Sequence, residues 1–272
     1  MEEFWAYLPG PSGQPGPNYW TYFAGRLAEL AVIPGEAAVL DIGTFDGNVL
    51  FQAMKQIDAQ GYGVGIDIDM YGFQTGAAEA GRRGWKEKIA FLQMDANSLG
   101  FAPETFHTLL ANFVGWDDYY DFRRMEFISR DHLTLEINRV LKKGGRAGIG
   151  SWVEQSDLDW IGAAFKRYLP EVKQRIPCYA QENPEGYEVI LKQGGFKNVC
   201  VLVEKADFFS PDAGTWWRQM ELAASGYFRQ VTDTDRLERF KEQVFEDLRE
   251  YHRPEGIRFS KTVLFAFGEK QG

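Results

Sequence analysis

The sequence predicts an α/β protein with a mostly parallel sheet, and three observations lead to this fold class. Short apolar segments with the length of buried strands alternate with segments whose apolar residues recur at helical spacing. This alternation is typical of parallel sheets, whose strands are joined by right-handed helical crossovers. The chain has 272 residues, of which 44% are hydrophobic and 25% charged, so it can bury a full core.

The first half of the chain carries most of the predicted sheet. Residues 9–17 are rich in proline and glycine, and we expect a turn or a flexible arm there rather than regular structure. The predicted elements then follow in the order helix 19–31, strand 38–42, helix 48–57, strand 63–67, helix 74–83, strand 89–94, strand 105–113, a helix through Leu133, Ile137, Val140 and Leu141, and strand 146–151.

The alternation changes after residue 151. Helices are predicted at 157–172 and 184–193, strands at 199–204 and 262–267, and a helix through Leu237, Phe240, Val244 and Leu248 in the long segment before the last strand. We therefore expect one domain over residues 1–272, with an N-terminal arm and helix at 1–34. Residues 152–183 and 206–260 are predicted to be helical insertions that form a cap.

Composition limits the classes of partner. The net charge of −9 repels phosphate backbones, which argues against nucleic-acid binding. Two cysteines without metal-ligand spacing indicate a reducing compartment, the acidic N-terminus does not resemble a secretory signal, and no apolar run is long enough for a transmembrane helix. We expect a soluble cytoplasmic protein that acts on a small molecule, and the oligomeric state stays open.

The segment VLDIGTFDG, Val39 to Gly47, is the strongest sign of a ligand site. Glycines at the end of an apolar strand allow close backbone approach, and the helix that begins at Asn48 offers free N–H groups to an anionic group. Asp67 ends the next predicted strand, where a carboxylate can accept hydrogen bonds from ribose hydroxyls. Asp95 and Ala96 follow the third strand, where a nucleobase would lie. A nucleoside-like ligand is the interpretation that joins these positions.

Four motifs in order resemble those of the class I S-adenosylmethionine-dependent methyltransferases, closest to the branch that modifies quinones and natural products. They are DIGTFDGN, GIDID, MDANSLGF and RVLKKGG. The resemblance covers residues 35–151, 184–205 and 261–269. It implies a Rossmann-like, mostly parallel sheet of seven strands with an antiparallel last strand, and S-adenosyl-L-methionine as cofactor. The pair Phe106-His107 departs from the Phe-Asp that the family often has, at the strand end far from the ligand.

The resemblance also implies roles for particular residues. Asp41, Gly43 and Gly47 would frame the methionine end of the cofactor, and Asp67 would hold its ribose. Ile68 would lie against the adenine, whose edge Asp95 and Ala96 would contact. Asn112 and Phe113 would lie near the sulfonium.

Methyl transfer makes few chemical demands on a protein, because the cofactor is already a strong electrophile. We expect in-line displacement promoted by proximity and exclusion of water, with a general base only for some acceptors. Asp117, Asp118 and His252 are candidates for such a base, and the two aspartates could instead hold a divalent metal or be solvated. The aromatic residues expected around the acceptor, several of which could equally belong to the core, are Tyr19, Tyr22, Trp116, Tyr119, Tyr120, Trp152, Trp216, Trp217 and Tyr227.

Two alternatives remain at this point. An NAD(P)-dependent oxidoreductase would also use a glycine turn, but it would be expected to carry G-x-G-x-x-G, which is absent here. A binding protein with the methyltransferase fold could keep the cofactor site and lack transfer activity.

Overall fold

The protein is described by a computed structural model that covers residues 4–10, 14–173 and 182–272. Its strands are β1 (Tyr7–Pro9), β2 (Pro15–Asn18), β3 (Ala38–Ile42), β4 (Tyr62–Asp67), β5 (Ile89–Gln93), β6 (Phe106–Asn112), β7 (Tyr120–Asp121), β8 (Glu126–Phe127), β9 (Leu141–Gln155), β10 (Phe196–Ser210), β11 (His252–Arg253) and β12 (Gly256–Lys270). Its helices are α1 (Tyr19–Ala31), α2 (Asn48–Met54), α3 (Phe73–Arg82), α4 (His132–Val140), α5 (Ser156–Tyr168), α6 (Pro184–Gln193), α7 (Ala213–Ala223), α8 (Ser225–Phe228) and α9 (Thr234–Asp247), with a 3-10 turn at Leu248–Tyr251.

The chain divides into two compact units. The larger one, called here the large unit, comprises Trp20–Val153, Gln181–Glu204 and Val263–Gly272. The small unit comprises Met1–Tyr19, Glu154–Ala180 and Lys205–Thr262. Three long strands, β9, β10 and β12, contribute residues to both.

The large unit is built on a sheet with the strand order β10-β12-β9-β6-β3-β4-β5. Strand β3 pairs in parallel with β4 and β6, and β4–β5 and β6–β9 are parallel as well. The predicted α/β fold with a mostly parallel sheet is therefore confirmed. Because these five strands run in the same direction, their carboxyl ends meet at one edge, which is where ligands bind in open α/β sheets.

The core of the large unit explains why these segments form strands and helices. Strand β3 is buried along its whole length, as a central parallel strand covered on both faces should be. Helix α4 begins at Asp131, whose side chain accepts the Thr134 N–H, and it buries Leu133, Ile137 and Val140 against the sheet. The apolar stripe that predicted this helix is the surface that it packs.

The small unit has its own sheet segment and its own core. Its strands follow the order β2-β1-β10-β12, and β11 pairs with β12. Helices α5, α7 and α9 bury aromatic residues together, including Phe165, Trp216, Trp217 and Phe240. Each of α7 and α9 begins at an aspartate whose side chain accepts a backbone N–H, which satisfies one free donor of the first turn.

The segment at residues 9–17 differs from the sequence prediction. Its described part contains two short strands, in which Pro9 pairs with Pro15, and Gly10 N donates to Gln14 O at 2.8 Å. Proline lacks the N–H of a strand ladder, but β2 lies at the edge of the sheet, where that loss is tolerated. The strands β10 and β12 also run longer than predicted, so residues 206–210 and 256–260 of the predicted helical insertion are extended rather than helical. In the part of the chain that the structure describes, no helix is long and apolar enough to cross a membrane.

A buried ion pair joins two strands and a helix within the small unit. Lys261 Nζ lies 2.9 Å from both carboxylate oxygens of Asp157 and 3.1 Å from Gln155 Oε1, and the two charged side chains are only 2% and 5% exposed. The ammonium also lies 4.5 Å from the centroid of the Tyr19 ring. These partners compensate the desolvation of Lys261, so the pair depends on all of them.

We predict that Lys261→Met lowers the free energy of unfolding by about 3–5 kcal/mol, because it leaves the Asp157 carboxylate buried without its counter-charge. Urea denaturation measures the change. The double variant with Asp157→Leu should recover most of the loss. As a control, Lys205→Met breaks an ion pair with Glu154 whose side chains are 57% and 41% exposed, and it should cost no more than about 1 kcal/mol. Equal costs for Lys261→Met and Lys205→Met would contradict this account.

Candidate functional site

The turn after β3 brings backbone, rather than side chains, to the carboxyl edge of the large-unit sheet. Gly43 has φ +69°, and a Cβ atom there would lie 2.6 Å from Val114 Cγ2. Only glycine satisfies both the left-handed conformation and the close contact. Gly47, at φ +88°, precedes α2 and supplies no side-chain cap to the first N–H groups of that helix, of which the Leu50 N–H donates to Asp41. This arrangement suits an anionic group such as a carboxylate.

The Asp67 carboxylate accepts hydrogen bonds from two backbone N–H groups, one of which belongs to the glycine turn. Phe45 N donates to Oδ2 and Asp69 N donates to Oδ1, each at 3.0 Å. The adjacent hydrogen bond from Thr44 N to Ile66 O, at 2.9 Å, ties the turn to β4. Each carboxylate oxygen keeps accepting capacity after these bonds, so an oriented acceptor remains for a pair of hydroxyl groups.

Asp41 is a carboxylate buried beneath the same turn. Thr44 Oγ1 donates to Asp41 Oδ2 at 2.7 Å, whereas Asp41 Oδ1 has no hydrogen-bond partner among the described residues. Burial raises the pKa of Asp41 to about 7, although the bond from Thr44 lowers it. An incompletely satisfied carboxyl beside a glycine turn fits a positively charged amine, which the methionine end of S-adenosylmethionine carries.

The strand ends next to Asp67 supply the remaining predicted cofactor residues. Ile68 is 71% exposed, so its side chain is free to pack against a flat ring, and its carbonyl accepts from Gln93 Nε2 at 2.9 Å. Asp95 and Ala96 follow β5, and Met94 N donates to Asp67 O at 2.9 Å, which keeps the ends of β4 and β5 together. The geometry thus places the carboxylates of Asp67 and Asp95 at the ends of neighbouring strands.

Helix α3 supports the turn by direct backbone contact. A Cβ atom on Gly72, at the start of this helix, would meet the carbonyl of Phe45 and lie 2.6 Å from Asp46 N. One on Gly76 would lie 2.7 Å from Asp46 O. The helix can approach so closely only because these two residues have no side chain. The position of residues 45–46 therefore depends on α3.

Aromatic rings cluster at the carboxyl ends of β6 and β9. Phe113 stacks on Trp152 with ring centroids 4.0 Å apart and planes at 4°, and its N–H donates to Gly150 O at 2.7 Å. Trp20 and Phe23 of α1 contact Trp152 edge-on at 5.8 and 5.7 Å. Phe113 has φ +62°, an unusual conformation for a bulky residue and one that concentrates at functional sites. Its neighbour Val114 contacts Gly43, so the aromatic cluster adjoins the glycine turn.

A buried glutamate connects the same two strand ends. Glu182 accepts hydrogen bonds from Trp116 N at 3.1 Å, from the Tyr187 hydroxyl at 2.8 Å and from the Ser151 hydroxyl. Burial raises the pKa of Glu182, and these bonds oppose the shift. The carboxylate thereby joins the segment after β6, the end of β9 and helix α6.

The structure separates the predicted acceptor residues into different environments. Trp116 and Tyr120 are 0% and 1% exposed and pack in the core of the large unit, so we do not carry them into the proposed acceptor site. The Tyr22 hydroxyl donates to Glu204, and burial together with that contact raises the pKa of Tyr22 to about 12. The residues that fall in the small unit are Tyr19, Trp216, Trp217, Tyr227 and His252.

The candidate bases are exposed. Asp117 and Asp118 lie between β6 and β7, and His252 lies on β11. Within residues 4–10, 14–173 and 182–272, no three His, Cys, Asp or Glu side chains form a group that could hold a metal ion. In the described chain, Asp117 and Asp118 thus have no third His, Cys, Asp or Glu with which to hold a metal ion.

Three contributors at this edge were not identified from the sequence. Trp20 and Phe23 are three residues apart on α1, and that spacing could have indicated that they share a face of the helix. Glu182 is a single acidic residue before Asn183-Pro184, and no pattern distinguishes it from a solvated charge.

Comparison with known proteins identifies the family. Residues 34–206, more than half of the chain, match the family described as a methyltransferase domain, and the chain belongs to it. The aklanonic acid methyltransferase DauC of Streptomyces sp. (strain C5) is 31% identical over 98 residues, 36% of this chain and 44% of that protein. The ubiquinone/menaquinone biosynthesis C-methyltransferase UbiE of Rhizobium leguminosarum bv. trifolii (strain WSM2304) is 25% identical over 181 residues, 59% of this chain and 65% of that protein. The aligned segments therefore span less than two thirds of both relatives.

A solved structure shares the fold. Phosphoethanolamine N-methyltransferase 2 of Haemonchus contortus, in complex with S-adenosyl-L-methionine, superposes with a TM-score of 0.54 at 16% identity over 94% of this chain and 53% of that chain. The predicted methyltransferase family is confirmed, and the S-adenosyl-L-methionine bound by this relative agrees with the cofactor that the sequence predicts. The expected contacts of Asp41, the glycine turn and Asp67 with the charged and hydroxyl groups of S-adenosyl-L-methionine remain predictions.

We predict that Gly72→Ala weakens binding of S-adenosylhomocysteine by about tenfold, because the added methyl group must displace residues 45–46. Isothermal titration calorimetry measures the affinity. Gly81→Ala on the same helix is the matched control, since nothing lies within 4 Å of a Cβ there, and it should leave binding unchanged. Equal affinities in the two variants would show that α3 does not determine the position of the turn.

The raised pKa of Asp41 predicts a pH-dependent stability of the cofactor-free protein. The folded state keeps the Asp41 proton up to about pH 7, whereas the unfolded chain releases it near pH 4. The contribution of Asp41 to unfolding free energy therefore falls as the pH rises from 4 to 7, by up to about 4 kcal/mol. We measure the unfolding free energy of Asp41→Asn minus that of the wild type by urea denaturation. This difference should be more positive at pH 8 than at pH 5. A difference that does not change with pH would refute the assignment.

Proposed function

We propose that the protein transfers the methyl group of S-adenosylmethionine to a small apolar or aromatic acceptor. The observation that carries this proposal is the stacked pair of Phe113 and Trp152 beside the glycine turn. A group of aromatic rings next to the cofactor turn attracts apolar molecules and also a sulfonium, since the faces of aromatic rings attract cations. It offers little to a sugar or a phosphate chain.

The cofactor residues keep the roles expected from the sequence. In this proposal Gly43, Gly47 and Asp41 receive the amino-acid end, and Asp67 accepts hydrogen bonds from the ribose. Ile68 packs against the adenine, and Asp95 and Ala96 contact its edge. Asn112 and Phe113 lie near the sulfonium. Asn112 Oδ1 supports this placement, because it is buried without a hydrogen-bond partner among the described residues.

The curated relatives support the class of acceptor. One is named for aklanonic acid and the other for ubiquinone and menaquinone biosynthesis. The net charge of −9 further argues against nucleic acid as a partner. A cytoplasmic location remains a prediction from the two cysteines of the sequence.

The reaction requires mainly that the protein align the two reactants and exclude water. The cofactor supplies an activated methyl group, and the acceptor atom must attack it in line with the sulfur. Residues that hold both reactants in place can contribute about 7–11 kcal/mol at best. The aromatic rings would exclude water from the acceptor atom. If the acceptor carries a proton of high pKa, then Asp117, Asp118 and His252 are the candidate bases, and a relayed proton would leave to solvent.

We predict that the protein binds S-adenosylhomocysteine and does not bind NADH, and that it transfers labelled methyl groups to phenols or quinols. We expect S-adenosylhomocysteine to bind because the glycine turn and Asp67 suit this sulfur-containing nucleoside. Calorimetry tests the binding. Incubation with methyl-labelled cofactor and a panel of aromatic acceptors, sugars and RNA, followed by mass spectrometry, tests the acceptor class.

Asp67→Ala provides the negative control, with cofactor affinity reduced by about 1–3 kcal/mol because ribose hydroxyls lose their acceptor. Asp69→Ala should behave like the wild type, since Asp69 contributes its backbone N–H to Asp67 and keeps it after substitution. Binding of NADH alone would refute the function. Binding of the thioether without labelling of any acceptor would instead favour a non-catalytic cofactor-binding protein.

A further inference from the structure

A chain of hydrogen bonds leads from Asp95, the expected adenine contact, to Tyr119 in the segment after β6. Asp95 Oδ1 accepts from Asn97 N at 2.8 Å and from Asn97 Nδ2 at 3.0 Å. Both bonds end on the same oxygen, and neither uses Oδ2. The carboxylate is therefore held by one oxygen, while the other can face a ligand.

The orientation of the Asn97 amide is set from its other end. Asn97 Oδ1 accepts a hydrogen bond from the Tyr119 hydroxyl. With the hydroxyl donating to the amide oxygen, the amide nitrogen must face Asp95. Without that donor, a rotated amide could place its own oxygen against the carboxylate, where two acceptors repel.

Tyr119 itself is held by its backbone. Its N–H donates to Trp116 O at 3.0 Å, and its carbonyl accepts from Ile128 N at 2.9 Å. The Trp116 indole is buried and donates to Thr134 Oγ1 at 2.9 Å. Partial burial raises the pKa of Tyr119. The hydroxyl thus remains protonated at neutral pH and acts as a donor from a fixed position.

We infer that Tyr119 and Asn97 are positioning residues that make the site select adenine over purines with a carbonyl at position 6. This inference rests on the proposed role of Asp95 in the cofactor site. A carboxylate oxygen accepts from the 6-amino group of adenine and repels the 6-carbonyl of hypoxanthine. The selectivity depends on keeping Asp95 Oδ2 in one orientation, which the two residues do. Tyr119 thereby belongs to the cofactor site and not to the acceptor site predicted from the sequence.

The test compares S-adenosyl-L-homocysteine with S-inosyl-L-homocysteine by isothermal titration calorimetry on the full chain. The wild type should prefer the adenosyl ligand. Tyr119→Phe removes one hydroxyl group and should lower the affinity for the adenosyl ligand by about three- to tenfold, with less than about a twofold change for the inosyl ligand. A merely structural role would lower both affinities together.

Tyr120→Phe is the matched control. The Tyr120 hydroxyl is buried, has no hydrogen-bond partner within the described chain and lies next to Tyr119 in sequence, so its removal should leave both affinities unchanged. The variant Asn97→Ala should reduce the preference for adenine at least as much as Tyr119→Phe. Because Tyr119 acts through Asn97, the double variant should lose no more preference than Asn97→Ala alone.

The outcomes separate this inference from the proposed function. An unchanged preference in Tyr119→Phe, equal losses for both ligands, or additive losses in the double variant would each overturn the inference. A wild type that binds both thioethers equally would overturn it too. If the wild type prefers the adenosyl ligand and the variants behave as expected but no acceptor is methylated, the inference stands and the proposed methyl transfer fails.

Discussion

The turn between β3 and α2 contacts its neighbours at distances that leave no room for a Cβ atom. Gly43 meets Val114 from the segment after β6, and Gly72 meets the Phe45 carbonyl from the side of α3. The Asp67 carboxylate accepts a hydrogen bond from Phe45 N of the same turn. The end of β6, the start of α3 and the end of β4 are thus positioned relative to one short stretch of backbone, and the cofactor residues are placed by this close packing.

The same stretch brings together two different chemical environments. Asp41 and Asp67 place carboxylates near the turn, suited to the amine and hydroxyl groups of the cofactor. Phe113 and Trp152 place stacked rings beside it, suited to a sulfonium and an apolar acceptor. Because Val114 follows Phe113 directly and contacts Gly43, the two environments cannot move far apart. The proposed methyl transfer needs two reactants in alignment, and this connection keeps the residues proposed to hold them adjacent.

The sequence could predict the parts of this site that local rules determine. A glycine turn after an apolar strand and an aspartate at the end of the next strand have fixed places in a parallel sheet, so the positions of Gly43 and Asp67 could be predicted without a structure, and their roles toward a ligand remain predictions. The role of Tyr119 could not, because its hydroxyl meets Asn97 across 22 residues, a contact that no periodicity encodes. Similarly, Pro9 and Pro15 predicted an irregular arm, yet they pair at a sheet edge where proline is tolerated.

The glycines of α3 lower the stability of the helix itself. Gly76 and Gly81 lie inside a helix of 10 residues, and each glycine in a helix interior is less favourable than alanine by about 1 kcal/mol. Such a helix has little intrinsic stability, and its order depends on its contacts with the turn at residues 45–46 and with Phe91 of β5. Filling the turn with cofactor should therefore protect the amides of α3 from hydrogen exchange. The helix that permits the close approach is also the element whose local opening reports whether the site is occupied.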